Sequence, residues 1–311
     1  MTTWDPSAVP DQQGRRVIVT GASGGLGLVV ARELARRGAR VVMAARDVAK
    51  AERHRSEVLA EHPAATAEVR PLDLLDLDSI REFAASVTAE PVDALVNVAG
   101  IAGGPLRRNA QGWESHFATN HLGHFALTML LLDALDRGWE PRVVTVSSTT
   151  YRFGKLDLDR DDHLTGGRRY SPMRAYARSK LACMLFGLEL DRKLRAAGSE
   201  VRSVLAHPGT VGAEMQVDRA PTLLGCLMAP HTTTTASAPE QAALPVVYAA
   251  TVSDIEGGTF VGTRSEGHGP MRVERLPVRA PADDIRLAER LWTHSEELTG
   301  ARPALFCGTR H

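Results

Sequence analysis

Short runs of β-branched residues alternate along the chain with stretches whose apolar positions recur every three or four residues. The first run, RVIVT at 16–20, reads as a strand. A helical pattern at 26–37 follows and stops at Gly38. The pairing then repeats: a strand at 41–45 before a charged helix at 48–61, a strand at 67–71 before a helix at 78–89, and a buried strand at 94–98 before one long helix at 113–137. A fifth strand at 142–146, a long helix at 174–197 and a sixth strand at 201–205 complete the series. Strands joined through helices by short connections form right-handed crossovers, which make the strands parallel and put helices on both faces. The pattern predicts an α/β fold with a doubly wound parallel β-sheet.

No internal repeat or linker divides the chain, so the expectation is a single-domain Rossmann fold over 1–311. Three segments fall outside the rhythm: a polar arm at 1–14, a connection at 149–172 rich in Asp, Arg and Gly, and 208–239, where an apolar patch at 222–228 precedes four threonines. Sheets of this kind bind ligands beyond the carboxyl ends of their strands, which makes 149–172 and 208–239 candidate substrate lids.

Composition narrows the class. Lys plus Arg equals Asp plus Glu at 37 each, so no general field draws nucleic acid or anionic lipid. Cys183, Cys226 and Cys307 lie far apart without metal-ligand spacing and read as reduced thiols, which favours a cytoplasmic protein. The first ten residues hold Asp5 and two prolines instead of a basic-then-apolar leader, and the longest apolar stretch, 125–132, is too short to span a bilayer. No nucleic-acid partner, membrane span or metal is expected.

The chemistry begins between the first strand and helix, at TGASGGLG (20–27). Glycines at 21, 25 and 27 let the backbone turn sharply and approach a pyrophosphate, while the helix amino end offers free N–H groups and partial positive charge. Gly21, Ser23, Gly24, Gly25, Leu26 and Gly27 are therefore candidate cofactor contacts. The stretch from Gly21 to Gly25 also fits a G-x-S-x-G nucleophile elbow, but that arrangement needs an oxyanion loop from an earlier strand, and only one strand's worth of chain precedes Ser23. After the second strand comes Ala45-Arg46-Asp47. A bare ribose usually meets a carboxylate there and a 2′-phosphate an arginine, so Arg46 favours NADP(H) over NAD(H); a two-residue shift would make Asp47 the ribose acid. The loop itself offers no second basic residue.

Tyr176 and Lys180 lie one helical turn apart on one face. A phenol exchanges its proton near neutrality only where positive charge stabilises the phenolate, which a nearby ammonium provides. Ser147 and Ser148 follow the fifth strand at the carboxyl edge, where a hydroxyl can hold a substrate oxygen, and Asn120 in the preceding long helix is placed to brace a water-linked proton path to Lys180.

Taken in order, these motifs resemble the short-chain dehydrogenase/reductase family over about 14–248: TGASGGLG (20–27), Asp73, NVAG (97–100), Asn120, VSS (146–148), YARSK (176–180) and HPG (207–209). NHLGHFALT (120–128), the long connection from Ser148 to Tyr176, SKLA (179–182), HPGTV (207–211) and RLWTHSEELTG (290–300) are most similar to the branch of retinol dehydrogenases and WW-domain oxidoreductases. The resemblance implies an NADP(H)-dependent enzyme interconverting a carbonyl and an alcohol, with Asn120, Ser148 (the second serine of the pair), Tyr176 and Lys180 catalytic. It further implies that Asp73, with Leu74, meets the adenine; that Asn97, Ala99 and Gly100 line its ribose; that Pro208, Gly209 and Val211 meet the nicotinamide carboxamide; and that Lys180 binds the nicotinamide ribose. Homodimers or homotetramers are usual in such families. Val98 stands where the family usually has Asn, and Ala213 where a hydroxyl residue is common.

Two rival readings use the same residues: a C=C reductase similar to protochlorophyllide reductase, and a non-catalytic dinucleotide sensor. His116, His121 and His124 crowd one helix at spacings of five and three, which suits packing or capping better than metal ligation. The acidic run Asp157, Asp159, Asp161 and Asp162 lacks the glycine and final Glu of a calcium loop. Leu181, Met184, Leu185 and Leu188 form a helical stripe expected in the core or a subunit contact.

Overall fold

Each expected strand is present in the computed structural model, which describes residues 9–167, 169–208, 239–264 and 272–306. They are β1 (Arg16–Thr20), β2 (Arg40–Ala45), β3 (Thr66–Pro71), β4 (Ala94–Asn97), β5 (Arg142–Val146) and β6 (Arg202–His207), joined by two more, β7 (Phe260–Arg264) and β8 (Arg272–Arg275). All eight form one sheet in the order β3-β2-β1-β4-β5-β6-β7-β8. Chain order reverses between β1 and β4, and the crevice at that switch point is where such sheets take their ligands. β1, β4 and β5 are buried along their whole length, which is why they read as near-continuous apolar runs.

The helices are α1 (Gly25–Arg36), α2 (Val48–Glu61), α3 (Leu77–Val87), α4 (His124–Leu135), α5 (Pro172–Ala196), α6 (Pro239–Thr251) and α7 (Ile285–Thr299). Strand alternation divides the core. Val17 and Val19 pack with α1 and α6 on one face, whereas Ile18 packs with α3, α4 and α5 on the other. There Trp292 of α7 meets Phe125 of α4 edge-on at 5.1 Å between ring centroids.

Three features differ from the sequence pattern. The sheet is not wholly parallel: β8 runs antiparallel to β7, because the connection at 265–271 is too short for a helical crossover. The pattern also stopped at β6. α6 carries Pro245 in its interior, which hides a helix from a periodicity reading. α7, also outside the predicted pattern, has its own end signals: Asp284 caps the Leu287 N–H and Gly300 closes it at φ 66°. Finally, the long helix expected at 113–137 is broken. A helical turn at Ser115–Phe117 passes into a π-turn at Ala118–Gly123 before regular α4 begins. Among the described residues no helix is long and apolar enough to cross a membrane.

Candidate active site

β1 ends at Thr20 and the chain turns at Gly21, whose φ of 69° suits glycine. The turn is packed backbone on backbone: a Cβ at Gly27 would sit 2.4 Å from the Gly21 carbonyl oxygen, and one at Gly21 would sit 2.9 Å from Ala99 Cα. α1 then starts with no side-chain cap and no acidic residue in its first turn, so its amino-terminal N–H groups face outward unneutralised. This is a cradle with no side chains in the way and a positive rim, and it fits a dinucleotide's phosphates.

The cradle opens into a cleft of about 450 Å³. Gly21, Ser23, Gly24, Gly25, Leu26, Gly27, Arg46, Asp73, Leu74, Ala99 and Gly100 all line it, so the structure gathers most of the expected cofactor contacts in one place. Asn97 is absent from the lining; it is buried, and its amide donates to Thr128 Oγ1 at 3.1 Å. Val98, where the family usually has Asn, also lines the cleft and donates its N–H to Thr20 Oγ1 at 3.0 Å. Asp47 lines the cleft but caps α2, accepting the Lys50 N–H at 2.9 Å.

Tyr176, Lys180 and Ser148 are not among the residues that line this cleft; Lys180 would have its Nζ 3.8 Å from a Cβ on the lining residue Gly100. Lys180 Nζ lies 5.7 Å from the centroid of the half-buried Tyr176 ring and donates to the Val146 carbonyl at 3.0 Å. The two serines after β5 separate cleanly. Ser147 is buried and donates to the Lys180 carbonyl at 2.9 Å, locking α5 to the sheet. Ser148 is half-buried; its Oγ pairs with Thr150 Oγ1 at 2.9 Å and accepts the Thr150 N–H. Asn120 sits in the π-turn. Its amide nitrogen donates to the Ile101 carbonyl at 3.0 Å and to Ser179 Oγ at 2.9 Å, while its Oδ1 accepts the Ile101 N–H at 2.9 Å. Ser179 Oγ in turn donates to the Tyr176 carbonyl at 2.8 Å. Asn120 thus braces the Tyr176 turn and the loop after β4, and its backbone carbonyl is already taken by His124 Nδ1 and the Cys183 thiol.

A sequence profile of the short chain dehydrogenases matches residues 15–157. A mouse polyprenol dehydrogenase is 39% identical over 310 residues, covering 95% of this chain and 87% of that protein. Human retinol dehydrogenase 13 is 37% identical over 295 residues, covering 92% and 85%. A crystal structure of an uncharacterized protein from Mycobacterium paratuberculosis superimposes with a TM-score of 0.78 at 42% identity, over 97% of this chain and 99% of that one. The chain belongs to the short-chain dehydrogenase/reductase family. It is therefore an oxidoreductase of the class that binds a nicotinamide dinucleotide.

Within that family frame, several contributors escaped the sequence reading. Lys50, in the first turn of α2, also lines the cleft, and a Cβ on Gly24 would lie 3.1 Å from its Nζ; a lysine soon after Arg46, at the start of the helix that follows β2, was the available signal. Thr119 also lines the cleft, and its buried Oγ1 has no partner. Gly123 is pressed against the turn after Asp73, where a Cβ would meet the Leu74 carbonyl oxygen at 2.4 Å. Burial and the Lys180 charge depress His207, at the end of β6, to about 4. Pro208 follows it and is buried. Gly209, Val211, Ala213, the apolar patch at 222–228 and most of the 208–239 segment lie outside the described residues, as do Cys226 and Cys307.

The three helix histidines are separate. His116 Nδ1 lies 2.7 Å from Glu114 Oε1, His121 Nε2 lies 2.8 Å from Ser295 Oγ, and His124 bridges Thr20 and Asn120. Among the described residues no cluster of three or more His, Cys, Asp or Glu is arranged to hold a metal.

Proposed function

We propose that this protein is an NADP(H)-dependent carbonyl reductase/alcohol dehydrogenase acting on a hydrophobic substrate. The observation that carries the reading is the Tyr176–Lys180 pair, held on one helix face with the ammonium 5.7 Å from the phenol ring. When bound, the nicotinamide supplies the hydride donor or acceptor. Tyr176 gives the proton to the carbonyl oxygen in reduction and takes it back in oxidation. Ser148, unlike the buried Ser147, keeps a half-exposed hydroxyl for that oxygen. Lys180 contributes positive charge beside the phenol, and Val146 fixes its position. Asn120, through Ser179, holds the helical turn that carries Tyr176.

Two cations support NADP(H). Arg46 and Lys50 both line the cleft, and neither forms an ion pair among the described residues. Two unpaired cations side by side suit a 2′-phosphate better than a bare ribose diol. A hydrophobic substrate is supported by the relatives' names and by two large apolar side chains on the segments that flank the pair. Phe153, in the turn after Ser148, is 80% exposed, and Met173, in the first turn of α5, is 68% exposed. The 149–172 connection, proposed as a lid, is tied down by Arg108, which donates to the Thr165 and Gly166 carbonyls.

The test is NADPH oxidation against aldehydes, ketones, retinoids, steroids and long-chain isoprenoid carbonyls, with product analysis. Alcohol formation from an apolar carbonyl is expected. Saturation of a C=C bond instead, or turnover confined to small charged carbonyls, overturns the assignment.

A further inference from the structure

Thr20 closes β1 one residue before the glycine loop, and its buried hydroxyl has several neighbours. Oγ1 accepts the N–H groups of Val98 and Ala99 at 3.0 Å each, and it lies 3.0 Å from His124 Nε2. On the opposite side of the same imidazole, Nδ1 lies 3.2 Å from the Asn120 carbonyl oxygen. A carbonyl oxygen only accepts, so Nδ1 carries the ring proton. Burial depresses His124 to about 4 and keeps the ring neutral. Nε2 is then a bare acceptor 3.0 Å from the Thr20 hydroxyl, nearer than the Val96 carbonyl at 3.3 Å to which the same hydroxyl can also donate. The path then has one polarity: Val98 and Ala99 amides to Thr20, Thr20 to His124 in preference to the more distant Val96 carbonyl, and His124 to the Asn120 carbonyl.

Both ends of this path touch the reaction centre. Val98 and Ala99 form the cleft wall against which Gly21 is packed. Asn120 braces Ile101 and, through Ser179, the Tyr176 turn. A histidine serving only as core filler needs neither nitrogen placed in this way.

We propose that His124 is a positioning residue that holds two places at once, the dinucleotide-cleft wall through Nε2 and the Asn120 turn supporting Tyr176 and Lys180 through Nδ1; this rests on the function proposed above. The two nitrogens can be removed separately. An Asn side chain reproduces the Nδ1 donor and loses the acceptor for Thr20, whereas Gln reproduces the acceptor and loses the donor to Asn120.

The experiment measures NADPH dissociation constants by nucleotide fluorescence, together with kcat for a carbonyl that the wild-type protein reduces. His124→Asn is expected to weaken NADPH binding about tenfold with kcat within about twofold, the size expected for one buried hydrogen bond. His124→Gln is expected to show the reverse split. Thr20→Val is expected to weaken binding about tenfold alone and to add little in the His124→Asn background. Equal losses in both quantities for Asn and Gln, or a lowered melting temperature with both quantities unchanged, would overturn the proposal. Should the wild type bind NADPH yet reduce no carbonyl, the proposed function fails, and the binding cycle with Thr20 still decides whether the Thr20–His124 contact holds the cleft wall.

Discussion

At the amino ends of the strands, Arg15 is buried and donates to the Gln12 side chain and to the carbonyls of Ala250, Asp93 and Glu140. Its neighbours follow suit: Arg16 donates to the Val87 carbonyl at 2.7 Å, and Arg142 to Val252 at 2.7 Å. At the carboxyl ends, by contrast, Arg46 and Lys50 stand in the cleft without an ion pair among the described residues. The contrast follows from chain direction. In a crossover sheet the helices finish at the amino edge of the strands and start at the carboxyl edge. Val87 ends α3, and Ala250 and Val252 lie at the end of α6, so the arginines at that edge satisfy helix carbonyls that have no partner within the helix. At the opposite edge the α1 amino terminus is itself electropositive, and cations added there suit the anionic cofactor proposed above. Charge of one sign is structural at one end and available for ligands at the other.

The comparison can be broken in four ways. The largest effect is expected for Tyr176→Phe, which should reduce turnover about a thousandfold while NADPH binding, followed by fluorescence, stays within about twofold. Retained turnover would remove the proposed proton donor. Arg15→Met, at the opposite edge, should lower stability by about 3 kcal/mol in urea unfolding, because several buried carbonyls lose their donor, with kcat per folded molecule unchanged. If that variant lost activity without losing stability, the two edges would not be separable as argued. Arg46→Ala and Lys50→Ala should each weaken NADPH binding about tenfold and leave both NADH binding and the melting temperature alone. Equal losses for NADPH and NADH would rule out a 2′-phosphate contact.

The smallest effect per group concerns acid. Burial depresses His121 to about 3, and His124 and His207 to about 4. The folded protein holds these rings neutral, while the unfolded chain protonates them near 6.5, so unfolding takes up protons below that pH. Their stability is fully present above 6.5 and is lost as pH falls toward 4. Each should forfeit about 1 kcal/mol by pH 5.5. A melting temperature flat from pH 7.5 to 5.5 would contradict the buried neutral assignments.

The dinucleotide half was readable because its determinants are local. The glycine loop, the strand before it and the helix after it are contiguous, and glycine leaves little conformational choice. Tyr176 and Lys180 were readable for the same reason, since four residues of helix fix their relation. What escaped depended on long-range packing. Lys50 gains its meaning only from the loop that Gly24 brings against it. Asn120 was legible as a residue but not in its contacts, because Ile101 and Ser179 reach it from separate elements. The π-turn around it left no periodic trace, since one extra residue in a long apolar helix hardly alters the pattern. β8 was invisible because a four-residue edge strand, Arg272–Arg275, is mostly charged.

That π-turn at Ala118–Gly123 acts as a one-residue spacer wedged into a helix. Each residue of helix advances the azimuth by about 100°, so excising one residue there would swing everything upstream around the axis by about that angle. The helical register of α4, locked by its core contacts, would survive while the Asn120 amide was carried off its partners. A single-codon deletion in this short window therefore offers a folded shell with its reaction centre dismantled, an outcome that side-chain substitution alone does not easily produce.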